Sequence, residues 1–195
     1  MISYDEALTL VKQYIKQENH IKHVLAVEAI MRKLAHYFNQ DENLWGLVGL
    51  LHDLDFEQTA NTPEKHARVA AEILKGKLPE EGIHAILAHN YEYTNVQPKS
   101  LLDKALIMAD AASGFIIATA LVMPSKKLAE VKRKTLKKKF KDKTFARGSS
   151  RDRMRLSEEI GMNLYDFLEL ALNALQELSL IHISEPTRLG MISYA

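Results

Sequence analysis

A histidine and two aspartates, His52, Asp53 and Asp55, directly follow an apolar run in the sequence. An ionised carboxylate beside Leu50 and Leu51 is costly to bury unless a positive partner meets it. A divalent metal ion is a suitable partner, because imidazole and carboxylate are both common metal ligands. The alternative is a helix end at which His52 and Asp53 simply face water, and this dipeptide alone does not decide between the two.

Two further candidate ligands, His23 and Asp110, lie far away in the sequence, each on or beside an apolar stretch. Each has a simpler explanation. A buried histidine more often bonds a carbonyl than a metal, and a buried aspartate often caps a helix or pairs with Lys or Arg. Together with His52 and Asp53, however, they suit an octahedral site for Mn²⁺, Fe²⁺, Mg²⁺ or Co²⁺ better than a closed structural zinc site.

Capping signals and helical periodicity predict the elements that carry these residues. Ser3 opens a capping box at the start of a first helix. Apolar residues between positions 24 and 38 give a second helix one buried face, on or beside which His23 lies. Asp41 caps a third helix, which ends at His52.

Prolines mark the helices that follow. Pro63 predicts the start of a helix that carries His66, since proline fits the first helical position. Pro79 predicts the start of another helix, which ends near His89. No alternating strand pattern and no hairpin signal is present, so the predicted fold class is an all-α bundle.

Composition narrows the class of protein. The chain has 195 residues, no cysteine and a net charge of +1, so any metal must be held by His, Asp or Glu. The N-terminus lacks the pattern of a signal peptide, and a cytoplasmic protein is expected. Residues 106–123 are apolar enough to span a membrane, but Asp110 would be costly in lipid, which favours a buried core helix and no membrane.

Residues 126–155 form a basic segment, with 14 of the 26 Lys and Arg against 3 acids, a net charge of +11. Three interpretations are open. The segment is the solvated face of an amphipathic helix, or it holds a polyanionic substrate through Lys139, Arg147 and Arg151, or it binds nucleic acid without sequence preference. Nucleic acid is the less favoured partner, because no known nucleic-acid-binding module accompanies the basic residues.

The pattern His23…His52-Asp53…Asp110 resembles the HD superfamily of metal-dependent phosphohydrolases, and residues 49–53 are similar to the central motif of that family. The resemblance implies an HD-domain-like helical bundle. It also implies that His23, His52, Asp53 and Asp110 together bind one divalent metal ion.

Two further segments resemble those that carry second-metal ligands in the two-metal branches of the family. They contain His66 and His89, so the resemblance implies a second ion, with Asp53 bridging the pair. The alternative is that both histidines contact the substrate phosphate or form ordinary hydrogen bonds. One or two ions of Mn, Fe, Mg, Co or Ni are therefore the expected cofactors.

The sequence also departs from the family pattern. Phe56 stands where a lysine is common, and Asn90 replaces the second histidine of a frequent pair. Asp55 and Glu57 could support a ligand or transfer a proton, although solvent-exposed acids are the favoured interpretation. The histidines without a place in the pattern are expected to be surface or structural residues, and they are His20, His36 and His84.

The resemblance implies hydrolysis of a phosphomonoester or phosphodiester, with a nucleotide as the favoured small-molecule substrate. Asp53 and His52 would be the catalytic residues, through a metal-activated hydroxide that attacks phosphorus. Basic residues would orient the phosphate. The rival interpretation is a non-catalytic HD-like module that binds a nucleotide or RNA.

The resemblance covers residues 20 to about 122, and three regions are predicted. Residues 1–122 form the HD-type metal-binding helical domain, and residues 123–177 form the basic segment and a C-terminal helical extension packed on it. Residues 178–195 resemble the in-frame translation of a sequencing-library adapter, so we expect them to be a non-native tail.

Overall fold

The computed structural model describes the backbone of residues 1–184 and the side chains of residues 1–179. This part of the chain is all-α, as predicted, and contains no β-strand beyond an isolated bridge between Lys75 and Leu78. The α-helices are α1 (Tyr4–Tyr14), α2 (Glu18–Tyr37), α3 (Glu42–Leu51), α4 (Phe56–Thr59), α5 (Arg68–Leu74), α6 (Glu80–His89), α7 (Tyr91–Thr94), α8 (Leu101–Leu121), α9 (Arg133–Lys141), α10 (Arg151–Glu159) and α11 (Leu164–Ser184). A short 3₁₀ helix, Leu128–Glu130, lies between α8 and α9.

The chain divides into two compact units, Met1–Ile107 and Met108–Ala195. The boundary falls within α8, whereas the metal-binding domain was predicted to extend to residue 122. The first unit therefore contains every sequence-predicted metal ligand except Asp110, which follows the boundary by three residues.

Two predicted helix starts in the first unit are confirmed. The Ser3 hydroxyl accepts a hydrogen bond from the backbone N–H of Glu6, and the Glu6 carboxylate accepts one from the backbone N–H of Ser3 at 2.9 Å. At α3, the Asp41 carboxylate accepts hydrogen bonds from the backbone N–H groups of Asn43 and Leu44. These caps satisfy N–H groups that have no partner within the helix, and so fix where α1 and α3 begin.

Helices α2 and α3 approach each other closely at Gly49. A Cβ atom at this position would lie 3.0 Å from the Cα of Glu28 and 3.0 Å from the Cγ of Met31. Glycine therefore allows the end of α3 to pack against the backbone of α2. As a result, the ring of His52 just after α3 lies 5.5 Å, centroid to centroid, from the ring of His23 on α2.

The helix predicted to start at Pro63 begins five residues later, as α5, so that prediction is wrong. His66 lies in the turn before the helix, and Ala67 interrupts the helical path with a φ of +71°. A buried carboxylate stabilises this path, because Asp55 accepts hydrogen bonds from His66 Nδ1 at 2.8 Å and from the Ala70 N–H at 2.9 Å. The proline signal is local, whereas the contact with Asp55 forms only in the tertiary structure.

Helix α8 is long and apolar enough to cross a membrane, and within residues 1–184 it is the one helix that meets this test of length and composition. In its most apolar window, 61% of the residues are buried inside the protein. A core helix was expected here, and the burial agrees with that expectation.

In the second unit, the basic segment contributes an amphipathic helix, α9. Leu136 and Phe140 are buried on one face, while Lys134, Lys138 and Lys141 are exposed on the other. This is the arrangement expected of a solvated basic face.

Helices α10 and α11 are separated at Gly161, which has a φ of +81°. Helix α11 continues through Ser184, and so includes the first residues of the segment that resembles an adapter. Residues 185–195 of that segment lie outside the described part of the chain.

Candidate metal centre

The buried carboxylate of Asp53 lies at the centre of a cluster of five imidazole rings, here called the Asp53 cluster. In each ring Nε2 lies 3.1 to 3.5 Å from an oxygen of Asp53, and the five residues are His20, His23, His52, His66 and His89. The rings come from α2, from the end of α3, from the turn before α5 and from the end of α6. A single carboxylate therefore gathers imidazoles from distant parts of the first unit.

His52 and His89 are presented to Asp53 by the same local device. Each stands at the C-terminal end of a helix, and its Nδ1–H donates to the carbonyl three residues earlier, Gly49 for His52 and Ile86 for His89. Carbonyls in the last turn of a helix lack partners within the helix, so each histidine caps its own helix. When such a ring is neutral, with its proton on Nδ1, the lone pair of Nε2 is available to a metal ion bound at Asp53.

His66 is held on its far side by two polar residues. Its Nδ1 donates to Asp55 at 2.8 Å, and its backbone carbonyl accepts a hydrogen bond from the Asn90 amide at 3.1 Å. The favoured interpretation of Asp55 as a solvent-exposed acid is wrong, because this residue is completely buried. Asn90, which departs from the family pattern, holds the turn that carries His66.

The charges within the cluster are strongly coupled. Burial by itself would raise the pKa of Asp53, but the charge of His52 and hydrogen bonds from His20, His66 and His89 hold that pKa well below its usual range. Burial would lower the pKa of His66, but Asp53 and Asp55 raise it to about 10. A positive charge next to Asp53 is thus stabilised. A bound metal ion would supply that charge in place of the proton on His66.

The donor atoms form two groups that share Asp53. One group is His23, His52 and Asp53, the other is Asp53, His66 and His89, and in each group the candidate ligand atoms lie within 4.8 Å of one another. Neighbouring ligands about 2.1 Å from a common ion are roughly 3.0 to 3.4 Å apart, which is close to the nitrogen–oxygen distances around Asp53. Imidazole and carboxylate donors suit a divalent transition metal, so the residues present fit such an ion.

Helix dipoles also favour a cation at this place. The C-terminal ends of α3 and α6 both meet the cluster, since His52 is the residue after α3 and His89 is the last residue of α6. The carbonyls at a helix C-terminus carry partial negative charge, which stabilises a nearby cation by about 0.3–1 kcal/mol at an exposed site.

His20 was expected to be a surface or structural residue, and its place in the Asp53 cluster was not predicted. Its Nε2 lies 3.1 Å from Oδ2 of Asp53. The available signal was spacing, because His20 and His23 are three residues apart and therefore lie on one face of α2. The other two histidines without a place in the pattern pair with acids elsewhere, His36 with Glu42 and His84 with Asp103.

Phe56 lies against the edge of the Asp53 cluster. Its ring centroid is 4.2 Å from that of His20 and 5.7 Å from that of His66. The residue is nevertheless 44% exposed. The departure from lysine thus places an accessible aromatic ring next to the candidate ligands.

Four of the sequence-predicted site residues lie in the second unit. Asp110 is half-buried on α8, and its role as a metal ligand stays a prediction. Arg151 donates hydrogen bonds of 2.7 to 3.4 Å to five backbone carbonyls between residues 139 and 149. Lys139 lies over the ring of Phe145, and Arg147 is exposed. Substrate binding by these basic residues stays a prediction. The hydrogen bonds from Arg151 to the backbone carbonyls already give this residue a structural role.

The arrangement agrees with a comparison to known protein families. Residues 21–114 match the family model of the HD domain. This match supports the predicted resemblance to the HD superfamily, most of whose members are metal-dependent hydrolases. The matched residues include all six predicted metal ligands. The HD match begins one residue after His20. No curated protein and no solved structure matches the chain.

Proposed function

We propose that this protein is a metal-dependent phosphohydrolase that cleaves a phosphomonoester or phosphodiester, with a nucleotide as substrate. The observation that carries the proposal is the position of Asp53, a buried carboxylate shared by two groups of candidate ligands within the HD match. Such a shared carboxylate suits two adjacent ions, and pairs of ions about 3.5–4 Å apart are a recurrent arrangement in phosphatases and nucleases.

Each residue of the cluster has a defined part in this proposal. Bound metal ions would supply an activated water and charge stabilisation for the phosphate. Asp53 would hold both ion positions, His23 and His52 would complete one of them, and His66 and His89 the other. The side chain of His23 is 24% exposed while that of His52 is fully buried, so we expect the phosphate ester to approach from the His23 side.

The exposed ring of Phe56 supports a nucleotide as the substrate. An aromatic side chain next to the candidate ligands offers an apolar face on which a nucleobase can stack, a contact worth about 1–3 kcal/mol in single-strand binding proteins. The phosphate would then lie at the metal centre while the base contacts Phe56. The contribution of Arg147 and Lys139 to phosphate binding stays a prediction from the sequence.

Metal analysis combined with a phosphate-release screen tests the proposal. The protein would be purified without added metal, analysed by mass spectrometry for bound metals, and assayed against nucleoside phosphates, cyclic nucleotides and simple phosphate esters. We expect D53N and H52A to lose bound metal and at least about 100-fold in turnover, because H52A removes a ligand and D53N removes the negative charge of the shared ligand. H36A, which changes an exposed histidine, is the matched control. Full metal loading without hydrolysis across the panel would contradict catalysis.

A second candidate function is a non-catalytic HD-like module that binds a nucleotide or RNA. The exposed lysines of α9 favour it, since Lys134, Lys138 and Lys141 follow one another at helical spacing on the exposed face. Binding of a fluorescent oligonucleotide would be measured across a salt series. Contacts from three lysines to a single strand predict a slope of log affinity against log salt of about −2. A flat salt response would argue against this function.

A further inference from the structure

His20 is the one imidazole of the Asp53 cluster that lies outside the HD match. It stands in the first turn of α2, and its side chain is 11% exposed. Its Nε2 lies 3.1 Å from Oδ2 of Asp53, closer than any of the four other ring nitrogens lies to that carboxylate. The geometry is that of a hydrogen bond in which Nε2–H donates to the carboxylate.

The five rings divide between the two oxygens of Asp53. His52, His66 and His89 lie 3.4 to 3.5 Å from Oδ1, whereas His20 and His23 lie 3.1 and 3.5 Å from Oδ2. A carboxylate is free to rotate about its Cβ–Cγ bond unless a partner fixes it. The hydrogen bond from His20 restrains that rotation from the Oδ2 side, so that Oδ2 faces the His23 side and Oδ1 faces His52, His66 and His89.

The segment that follows Asp53 in turn fixes the position of His20. The Glu57 carboxylate accepts hydrogen bonds from the backbone N–H groups of Lys16 at 3.0 Å and Gln17 at 2.8 Å, immediately before α2. The ring of Phe56 packs at 4.2 Å against the ring of His20. Helix α4 therefore holds the start of α2, and with it the histidine that contacts Asp53.

We propose that His20 is a positioning residue of the metal centre, which orients the Asp53 carboxylate for metal binding by donating Nε2–H to its Oδ2. This proposal depends on one part of the proposed function, namely that Asp53 binds a metal ion. Partners that hydrogen-bond metal-ligating groups fix the orientation of those groups, and their removal typically weakens metal affinity about 10- to 100-fold. Loss of the His20 donor is expected to have an effect of that size.

Three substitutions separate a hydrogen-bond role from a packing role. In H20Q the side-chain amide nitrogen can reach nearly the place of Nε2, whereas in H20N the amide nitrogen reaches only the place of Nδ1. H20A removes the donor altogether. H36A is the matched control, because His36 is an exposed histidine of the same helix that pairs with Glu42.

The measurement is Mn²⁺ binding to the full chain, followed by the electron paramagnetic resonance signal of free Mn²⁺. We expect H20A and H20N to weaken binding about 10- to 100-fold, H20Q to restore most of the affinity, and H36A to bind as the parent protein does. Thermal unfolding of each metal-free variant, monitored by circular dichroism, confirms that the variants are folded at the temperature of the titration.

The outcomes distinguish this proposal from the proposed function. An H20A variant that binds Mn²⁺ as tightly as the parent overturns the role of His20, and so does an H20Q variant as weak as H20A. A parent protein that binds neither Mn²⁺ nor any other of the expected divalent ions overturns both proposals. A parent protein that binds Mn²⁺ but hydrolyses no ester contradicts the proposed hydrolase alone, because the affinities of the variants still decide the role of His20.

Discussion

Oδ1 of Asp55 lies 2.8 Å from Nδ1 of His66, and Oδ2 of the same carboxylate accepts a hydrogen bond from the backbone N–H of Ala70 at 2.9 Å. A single buried side chain therefore orients a candidate metal ligand and fixes the start of α5. The left-handed backbone of Ala67, between these two contacts, allows the chain to make both.

Replacement of Asp55 by asparagine should weaken the metal position formed by His66 and His89. The single amide oxygen of asparagine can accept a hydrogen bond from only one of the two N–H groups. The NH₂ group of asparagine then faces the other N–H group. We expect D55N to lower metal affinity at that position about 10- to 100-fold and to leave the position of His23 and His52 less affected. Metal stoichiometry measured by mass spectrometry after dialysis, with D152N on the exposed face of α10 as control, checks the prediction. Unchanged stoichiometry at low metal concentration would contradict it.

Asp103 makes the first unit sensitive to acid. Burial by itself would raise its pKa, but hydrogen bonds from the backbone of Ser100 and Lys99 and from His84 lower that pKa below its usual value. A carboxyl group with a lowered folded-state pKa stabilises the fold above its unfolded pKa of about 3.9, and the contribution is lost as pH falls through the folded pKa.

Replacement of Asp103 by asparagine should therefore lower the free energy of unfolding by about 1–2 kcal/mol at pH 7, where the ionised carboxylate accepts hydrogen bonds from the backbone N–H groups of Lys99 and Ser100 just before α8. The difference from the parent protein should shrink as the pH falls below 4. Urea unfolding at pH 7, 5 and 3 measures both effects, with E64Q at an exposed position as control. A difference that stays constant down to pH 3 would show that the charge of Asp103 is not involved.

Gly49 is expected to tolerate no side chain, despite its place inside a helix. Alanine would favour the helix by about 1 kcal/mol. Its Cβ, however, would lie 3.0 Å from the Cα of Glu28, and backbone atoms of a packed helix do not move aside cheaply. We expect G49A to lower the free energy of unfolding by about 1–2 kcal/mol in urea. G148A is the matched control, because a Cβ at Gly148 meets no atom within 4 Å.

The two arginines near the loop between α9 and α10 should behave differently. The Arg151 guanidinium donates to five carbonyls and lies over the ring of Phe115, whereas Arg147 is exposed. A lysine cannot reproduce these divergent hydrogen bonds. We expect R151K to lower the free energy of unfolding by about 2–3 kcal/mol and R147K to leave it unchanged. Equal stability of the two variants would show that the carbonyl contacts contribute little.

Local signals in the sequence predicted those features of the fold that are decided by residues close together in the chain. The caps at Ser3 and Asp41 are confirmed, because a cap is decided within one helical turn. The candidate ligands His23, His52, Asp53, His66 and His89 were found from a family pattern, and the structure brings them together around Asp53.

The misjudged features depend on contacts between distant segments. His20 is separated from Asp53 by 33 residues, and Asp55 from the Ala70 N–H by 15. An acidic or imidazole side chain next to a helix end has the same local pattern whether it is exposed or buried. Only the pairing of α2 with α3, and of the segment after Asp53 with the turn before α5, distinguishes the two cases.

The two helix ends that meet at the Asp53 cluster have a consequence for the order in which ligands bind. Before any metal ion arrives, two carboxylates and the carbonyl ends of α3 and α6 offset the positive charge of the His66 ring, so a phosphate gains little affinity there. The ester therefore gains most of its affinity after the metal ion is in place. Once seated, it would slow escape of that cation, so loading is expected to be sequential and release to follow the reverse sequence.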